Sequence, residues 1–394
     1  MAAQFTSQEW EKIWTTLNAN PESYGLPERI HGSVLLGSFN IRKLGSPRNR
    51  NRNTWSFLAH VCKRFDLLSV QEVMDNLGGI NKLMDLLGPD FDIVFSDATG
   101  SFPGGSGMAE RLAFIYNKNS VERTAVATDI TYDRTKILEI LARDQDAILP
   151  EMKKLKTYFD KLDEWKRSED SGSKPKKPKI KMPVFLSFIR QPFCVSFRIK
   201  GHPEKLPYEF MAINAHLYFG NYVSDRRQEF DALMEWILAR VKQSNRTYYS
   251  NFLLMGDLNL DFNNPEIDRP KIDKYLKTFN NNSGDDISVY FPFLNKHPVQ
   301  RKFLKTTARM GETYDQIGLF SKDERLPSFA DNGIMGTNIQ GPDYGVFNFT
   351  ELFSKSINNL SYSRLSKSQK SAFVKRYEHK VSDHLPLWIR LPLP

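Results

Sequence analysis

Residues 252–262 read FLLMGDLNLDF: four apolar residues, a glycine, then an acid and an amide two positions apart, Asp257 and Asn259. The run Phe252–Met255 has the length and composition of a buried strand. The polar pair at its C-terminal end is not what a core selects. The same junction recurs along the chain. Ser33–Phe39 runs into Asn40, Asp66–Gln71 into Glu72 and Glu209–Ala215 into His216, while Asp383 and His384 adjoin the run Leu387–Leu391. Open α/β sheets bind ligands at strand C-termini, and several such ends converging would build an oxygen-rich site suited to a hard cation such as Mg²⁺. Taken singly, an Asp or Asn after a strand is usually a turn former or helix cap, and a lone His a structural residue. The set, rather than any member, points to a site.

Working outward, the strand runs alternate with helical spacing. Trp55–Phe65 and Ser224–Val241 read as helices, the latter with Phe230, Leu233, Trp236 and Ile237 on one face. Phe91–Phe95, Leu112–Tyr116, Val184–Ile189, Phe193–Ile199 and Tyr314–Phe320 are further strand candidates, which places the chain in the α/β class. Residues 1–32 form a helical lead-in, with Phe5, Trp10, Ile13, Trp14 and Leu17 on one face and an end at Asn20-Pro21. Residues 33–394 read as one domain. Two stretches interrupt it. A Gly-rich loop spans Gly100–Gly107, and an insertion covers about 129–182, charged and helical first, then SEDSGSKPKKPKIK at 168–181, which cannot bury a core. Residues 331–380 read as loop-rich, then basic and helical.

Hydrophobic content of 40% and charged content of 26% over 394 residues fit a soluble globular protein, and no run approaches the roughly 20 apolar residues of a membrane-spanning helix. The N-terminal residues lack the basic and apolar regions of a secretory signal. Cys62 and Cys194 allow at most one disulfide, so a reducing, cytoplasmic setting is expected. Lys and Arg exceed Asp and Glu by 55 − 46 = 9, which favours a polyanionic partner. Residues 151–181, with eleven basic and six acidic residues, carry +5 of that excess.

Eight strings occur in order: SFNIR at 38–42, SVQEV at 69–73, AERLAFIY at 109–116, FIRQPF at 188–193, INAHL at 213–217, MGDLNLDF at 255–262, TYDQIGLF at 313–320 and VSDHLPLW at 381–388. Together they resemble the motifs of the endonuclease/exonuclease/phosphatase superfamily, most closely those of deoxyribonuclease I. The resemblance implies a four-layer α/β/β/α sandwich of two packed mixed β-sheets flanked by helices, with the site at one end. It implies Glu72, Asp257, Asn259 and Asp383 around a Mg²⁺ ion, with Mn²⁺ able to substitute and Ca²⁺ left open. It also implies Asn40, Arg190 and Asn259 on the scissile phosphate, and two histidine–carboxylate dyads, His216 with Glu110 and His384 with Asp315, for proton transfer. Arg suits bidentate phosphate contact, and a carboxylate on one imidazole nitrogen fixes the tautomer and raises the basicity of the other.

The function so implied is a metal-dependent DNA endonuclease, monomeric and without integral membrane association, that leaves 5′-phosphate and 3′-hydroxyl ends. Alternatives are an RNA nuclease, a lipid or inositol phosphate phosphodiesterase or phosphatase of the same superfamily, and an inactive nucleic-acid-binding scaffold. Two departures stand out. Met108 occupies the place of the tyrosine that enters the DNA minor groove, and no cysteine follows MGDLNLDF to brace that loop.

Overall fold

The computed structural model describes residues 4–394 apart from 100–108, 133, 169–171, 179, 181–187, 220–222, 243–246, 263–267, 282–287, 324 and 327–343. Two mixed sheets pack face to face. From edge to edge the first contains β11 (Tyr344–Val346), β12 (Leu387–Pro392), β1 (Ser33–Leu44), β2 (Leu67–Met74), β4 (Glu110–Asn117) and β3 (Phe91–Phe95). The second contains β5 (Val121–Asp129), β6 (Phe193–Ile199), β7 (Tyr208–His216), β8 (Asn251–Asp257), β10 (Asp315–Ser321) and β9 (Ser288–Tyr290). The parallel pairs β1–β2 and β7–β8 lie in the middle of their sheets with antiparallel neighbours on both sides.

Period-two alternation explains why strands with near-continuous apolar runs are buried on both faces. In the second sheet Phe210, Ala212, Leu253, Met255, Ile317 and Leu319 join the core shared with the first sheet. Their neighbours Met211, Ile213, Phe252, Leu254 and Phe320 point the other way, into a cluster with Phe230, Leu233 and Ile237 of α6 (Val223–Lys242). On the outer face of the first sheet, α1 (Ser7–Ala19), α2 (Arg52–Cys62) and α8 (Phe349–Asn358) meet through Phe5, Trp10, Phe57 and Phe353, whose contacting rings lie 5.3–5.8 Å apart. The lead-in helix therefore packs on the body, started by a Thr6/Glu9 capping box and ended at Asn20. Helix, sheet, sheet, helix is the layer order expected from the motifs.

Other expectations need correction. β5 carries no continuous apolar run: after Val121 its residues are half-buried or exposed, because it is an edge strand paired only with β6, and so it escaped the sequence reading. α3 (Gly78–Leu87), α7 (Asp268–Asn281), β9 and β11 likewise have no counterpart among the expected elements. Of the expected strand Val184–Ile189, residues 184–187 lie outside the described residues; Phe188 is irregular and Ile189 and Arg190 form a bend. The Gly-rich loop and Met108 lie outside them too. After β5 come α4 (Arg134–Arg143) and α5 (Gln145–Arg167), and of the lysine-rich run that follows, Gly172 accepts a bond from Trp165 Nε1 at 2.7 Å. Cys62 and Cys194 are both free and buried. Among the described residues, no helix is long and apolar enough to cross a membrane.

Strand register delivers the polar strand ends to one place. His216 on β7 pairs across to Asp257 on β8, which pairs across to Asp315 on β10. β7 and β8 approach closely at Gly256, whose φ of +144° is left-handed and where an added Cβ would lie 1.9 Å from the Ala215 carbonyl oxygen. Gly256→Ala should therefore cost at least about 3 kcal/mol, from backbone strain and overpacking together. Urea unfolding checks this; a loss below about 1 kcal/mol would contradict the close-approach account.

Candidate active site

Four of the expected residues, Asn40, Asn259, His216 and His384, meet around one buried carboxylate. Asp257 is 1% exposed. Its Oδ1 accepts from the Asn259 backbone N–H at 3.0 Å, and its Oδ2 accepts from Asn40 Nδ2 at 3.1 Å. That same Oδ2 lies 3.6 Å from His216 Nε2 and 3.4 Å from His384 Nε2. Each imidazole is held from behind through Nδ1, His216 by Glu110 Oε2 at 3.1 Å and His384 by Asp315 Oδ2 at 2.8 Å. Two dyads thus face the same Asp257 oxygen.

The surroundings of the dyads shift His384 and both carboxylates. Burial opposes charge on His384, but Asp315 first and then Asp257 overcome it and raise its pKa well above the ordinary histidine value. The two neighbouring carboxylates thus favour the protonated ring. Asp315 is raised by full burial and by the neighbouring Asp257 charge, against the pull of His384. Burial would also push Glu110 up, yet His216 and then Arg190 hold it down at about 2. Glu110 is an anion throughout the physiological range.

The expected phosphate ligands are more committed than the sequence suggested. Arg190 is 3% exposed; its Nε donates to Glu110, and one terminal nitrogen donates to the His216 and Leu217 carbonyls at 3.2 and 3.1 Å. Its position here is that of a clamp on the His216–Glu110 dyad. Asn259 Nδ2 donates to the Leu217 carbonyl at 2.7 Å, and Asn40 Nδ2 to Asp257. More open cations line the cleft of about 360 Å³ above the dyads: Arg42, Lys43 and Arg309.

Glu72 and Asp383 line the same cleft. Burial raises the Asp383 pKa, with His384 and Arg42 opposing and the Glu72 charge adding to it, so the two carboxylates sit close enough to repel. Glu72 lies on a bulge of β2 with φ +58°, Lys43 has φ +45° and Asn259 +52°. Three left-handed non-glycine residues at one site are backbone strain of the kind functional sites retain. Asn40 Oδ1, Asp383 Oδ1 and Asp315 Oδ1 are buried with no hydrogen-bond partner among the described residues. Unpaired buried oxygens beside two repelling carboxylates fit a hard divalent cation. Asp257, Asp315 and His384 also group closely enough to hold an ion, but His384 Nδ1 is engaged by Asp315, which suits the triple to proton transfer.

One residue that motif reading missed is Glu229 on α6. Both of its oxygens accept backbone N–H groups, from Ile189 at 2.6 Å and Tyr218 at 2.5 Å. It thereby ties the loop carrying Arg190 to the loop that follows His216. An acid in the middle of the α6 face, one residue before Phe230, was the available signal, since a buried face rarely takes Glu without partners.

No protein-family model matches the chain. A deoxyribonuclease of Thioalkalivibrio sp. (strain K90mix) is 25% identical over 242 residues, 60% of this chain and 48% of that protein. Bovine deoxyribonuclease-1 is 29% identical over 90 residues, 23% of this chain and 32% of that one. Among solved structures, an endonuclease/exonuclease/phosphatase family protein of Bacteroides thetaiotaomicron aligns over 92% of this chain and 98% of its own at 14% identity, with a TM-score of 0.44. The sequence relatives are deoxyribonucleases. The order of the motifs resembles the endonuclease/exonuclease/phosphatase superfamily, and the chain folds as two packed mixed sheets flanked by helices. It spans about half the length of the bacterial relative and a third of the bovine one.

Glu229 supplies a pH test of the site's scaffold. Burial pushes its carboxyl up to about 7 from 4.5, against the two N–H groups and the Arg190 and His216 charges. Because the folded value is raised, the associated stability is fully present below pH 4.5 and is lost as pH rises through 7. The stability of the wild type relative to Glu229→Gln should therefore fall by about 3 kcal/mol between pH 4.5 and 7.5, from 1.36 kcal/mol per pKa unit. A difference flat with pH in denaturant titrations would contradict this.

Proposed function

We propose that the protein is a divalent-metal-dependent phosphodiesterase that cleaves DNA, with 5′-phosphate and 3′-hydroxyl products. The observation that carries this reading is the pair of imidazoles, each backed by its own carboxylate, facing one Asp257 oxygen. Two groups poised on either side of a reacting centre suit an in-line displacement, in which one removes a proton and the other supplies one. The deoxyribonuclease names of the sequence relatives favour DNA.

The proposed roles follow from what surrounds each ring. His384, whose protonated form Asp315 and Asp257 favour, is the general acid: its Nε2 proton passes to the 3′ oxygen as the bond from phosphorus to that oxygen breaks. His216, oriented by Glu110, is the general base: its Nε2 takes the proton of the attacking water as the new P–O bond forms. Arg190 keeps Glu110 and the His216 backbone in place. Asn40, whose Nδ2 already donates to Asp257, can turn that donor to a phosphate oxygen. Glu72, Asp383 and Asp257, with the amide oxygens of Asn40 and Asn259, would hold the ion, which when bound neutralises charge on the phosphate and polarises it.

The test is incubation with closed-circular plasmid, linear single-stranded DNA and RNA, with Mg²⁺, Mn²⁺ or EDTA. Nicking of the circle in Mg²⁺ and none in EDTA is expected; metal-independent cleavage, or turnover confined to inositol or lipid phosphates, would overturn the reading. His216→Ala and His384→Ala should each lower kcat by about 10²-fold or more. Because they act in one step, the double variant should lose far less than the product of the two, and multiplicative losses would refute a coupled pair. Glu72→Gln should raise the Mg²⁺ concentration needed for half-maximal rate.

A further inference from the structure

The cleft has a cation that the chemistry above does not use. Arg309 lies on the loop before β10, and its side chain is 65% exposed where it lines the cleft. An exposed arginine usually samples many rotamers, yet this one is anchored at both ends. Its Nε and Nη2 donate to the two oxygens of Glu378 at 2.5 and 2.9 Å, a bidentate grip that leaves Nη1 outside it, and Glu378 is 5% exposed. Behind it, the Ala308 carbonyl accepts from Thr350 Oγ1 at 2.9 Å and from Tyr377 Oη at 3.1 Å, and the Ala308 N–H donates to the Asp383 carbonyl at 2.8 Å. Thr307 pairs with His384 through an isolated bridge. Arg309 is thus fixed to the backbone that carries the general acid.

Its support comes from a part of the chain the deoxyribonuclease motifs do not reach. Glu378 ends α9 (Lys367–Glu378), a helix opened by a Ser366/Gln369 capping box. α9 is fastened to α1 by Arg376, which pairs with both oxygens of Glu9 at 2.8 and 2.7 Å and lies 4.3 Å over the Phe5 ring. A guanidinium held this way loses little entropy on meeting an anion.

We propose that Arg309 is a second phosphate subsite, binding a backbone phosphate next to the scissile one, so that the enzyme favours a polynucleotide over a small phosphodiester. This rests on the phosphodiesterase reading above. The pairing with Glu378 raises the Arg309 pKa, so its charge is permanent.

The test uses the full chain with Arg309→Gln and Arg309→Lys. In EDTA, without turnover, anisotropy of a labelled 20-nucleotide strand and 20-base-pair duplex is followed from about 25 to 200 mM salt. Arg309→Gln should weaken binding about tenfold at the lowest salt. Losing one phosphate contact should flatten the plot of log affinity against log salt by about 0.9 for the duplex and 0.7 for the strand. Arg309→Lys should recover part of the affinity. With Mg²⁺, KM for the strand should rise at least fivefold more than KM for bis-p-nitrophenyl phosphate. Unchanged affinity and slope, absence of binding by the wild type, or equal losses on both substrates would each overturn the subsite. Failure of the phosphodiesterase reading is read separately, as no cleavage of any nucleic acid by a wild type that binds it.

Discussion

The hydrogen bond from Asn40 to Asp257 joins the two sheets at the end of the sandwich, and the site is arranged around the carboxylate it satisfies. A carboxylate 1% exposed is costly unless donors surround it. Asn40 donates to it from the first sheet and the Asn259 N–H from its own loop, while two imidazoles approach to 3.6 and 3.4 Å from β7 and from the segment leading into β12. Each partner is itself fixed. Ser382 Oγ donates to the Asn40 carbonyl at 2.6 Å and accepts the His384 N–H at 3.1 Å, so the residue before the Asp383-His384 pair pins it to β1. Deeper in, Gln71 Nε2 donates to Asn214 Oδ1 at 2.7 Å, and Asn214 Nδ2 donates to the Val70 and Ala113 carbonyls. That second polar crosslink sets the sheet spacing just below the dyads.

This architecture explains which features could be read from the sequence. Strand-end residues such as Asn40, Glu72, His216 and Asp257 stand out because each follows a strongly apolar run, and the contrast survives without coordinates. Both dyads pair as the motif order implied: the partners are 106 and 69 residues apart, so only the fold joins them. β5 and β9 were invisible for the opposite reason. An edge strand with exposed, charged positions and a three-residue strand carry too little apolar contrast.

Roles were harder to read than positions. Arg190 was expected on phosphate, but a motif does not reveal that Glu110 and two carbonyls already hold it. Glu229 and Glu378 sit on helices where an acid normally faces water, and only tertiary packing turns one into a splint for two loops and the other into a base for Arg309. The lysine-rich run after α5 was expected to stay unpacked. Its described residues are largely exposed, touching Trp165 at Gly172 and Lys174.

The proposed chemistry depends on the two dyads and Asp257 acting as one electrostatic unit in which His384 is the favoured proton carrier. Nitrogen-15 and proton NMR titration of the histidine rings in metal-free protein, wild type and Asp257→Asn, tests it most directly. The account predicts that His384 keeps its imidazolium form through neutral pH in the wild type, and that Asp257→Asn lowers its pKa while Asp315 remains its partner. A wild-type His384 that titrates at or below the ordinary value of 6.5, or one indifferent to the loss of the Asp257 charge, would contradict it.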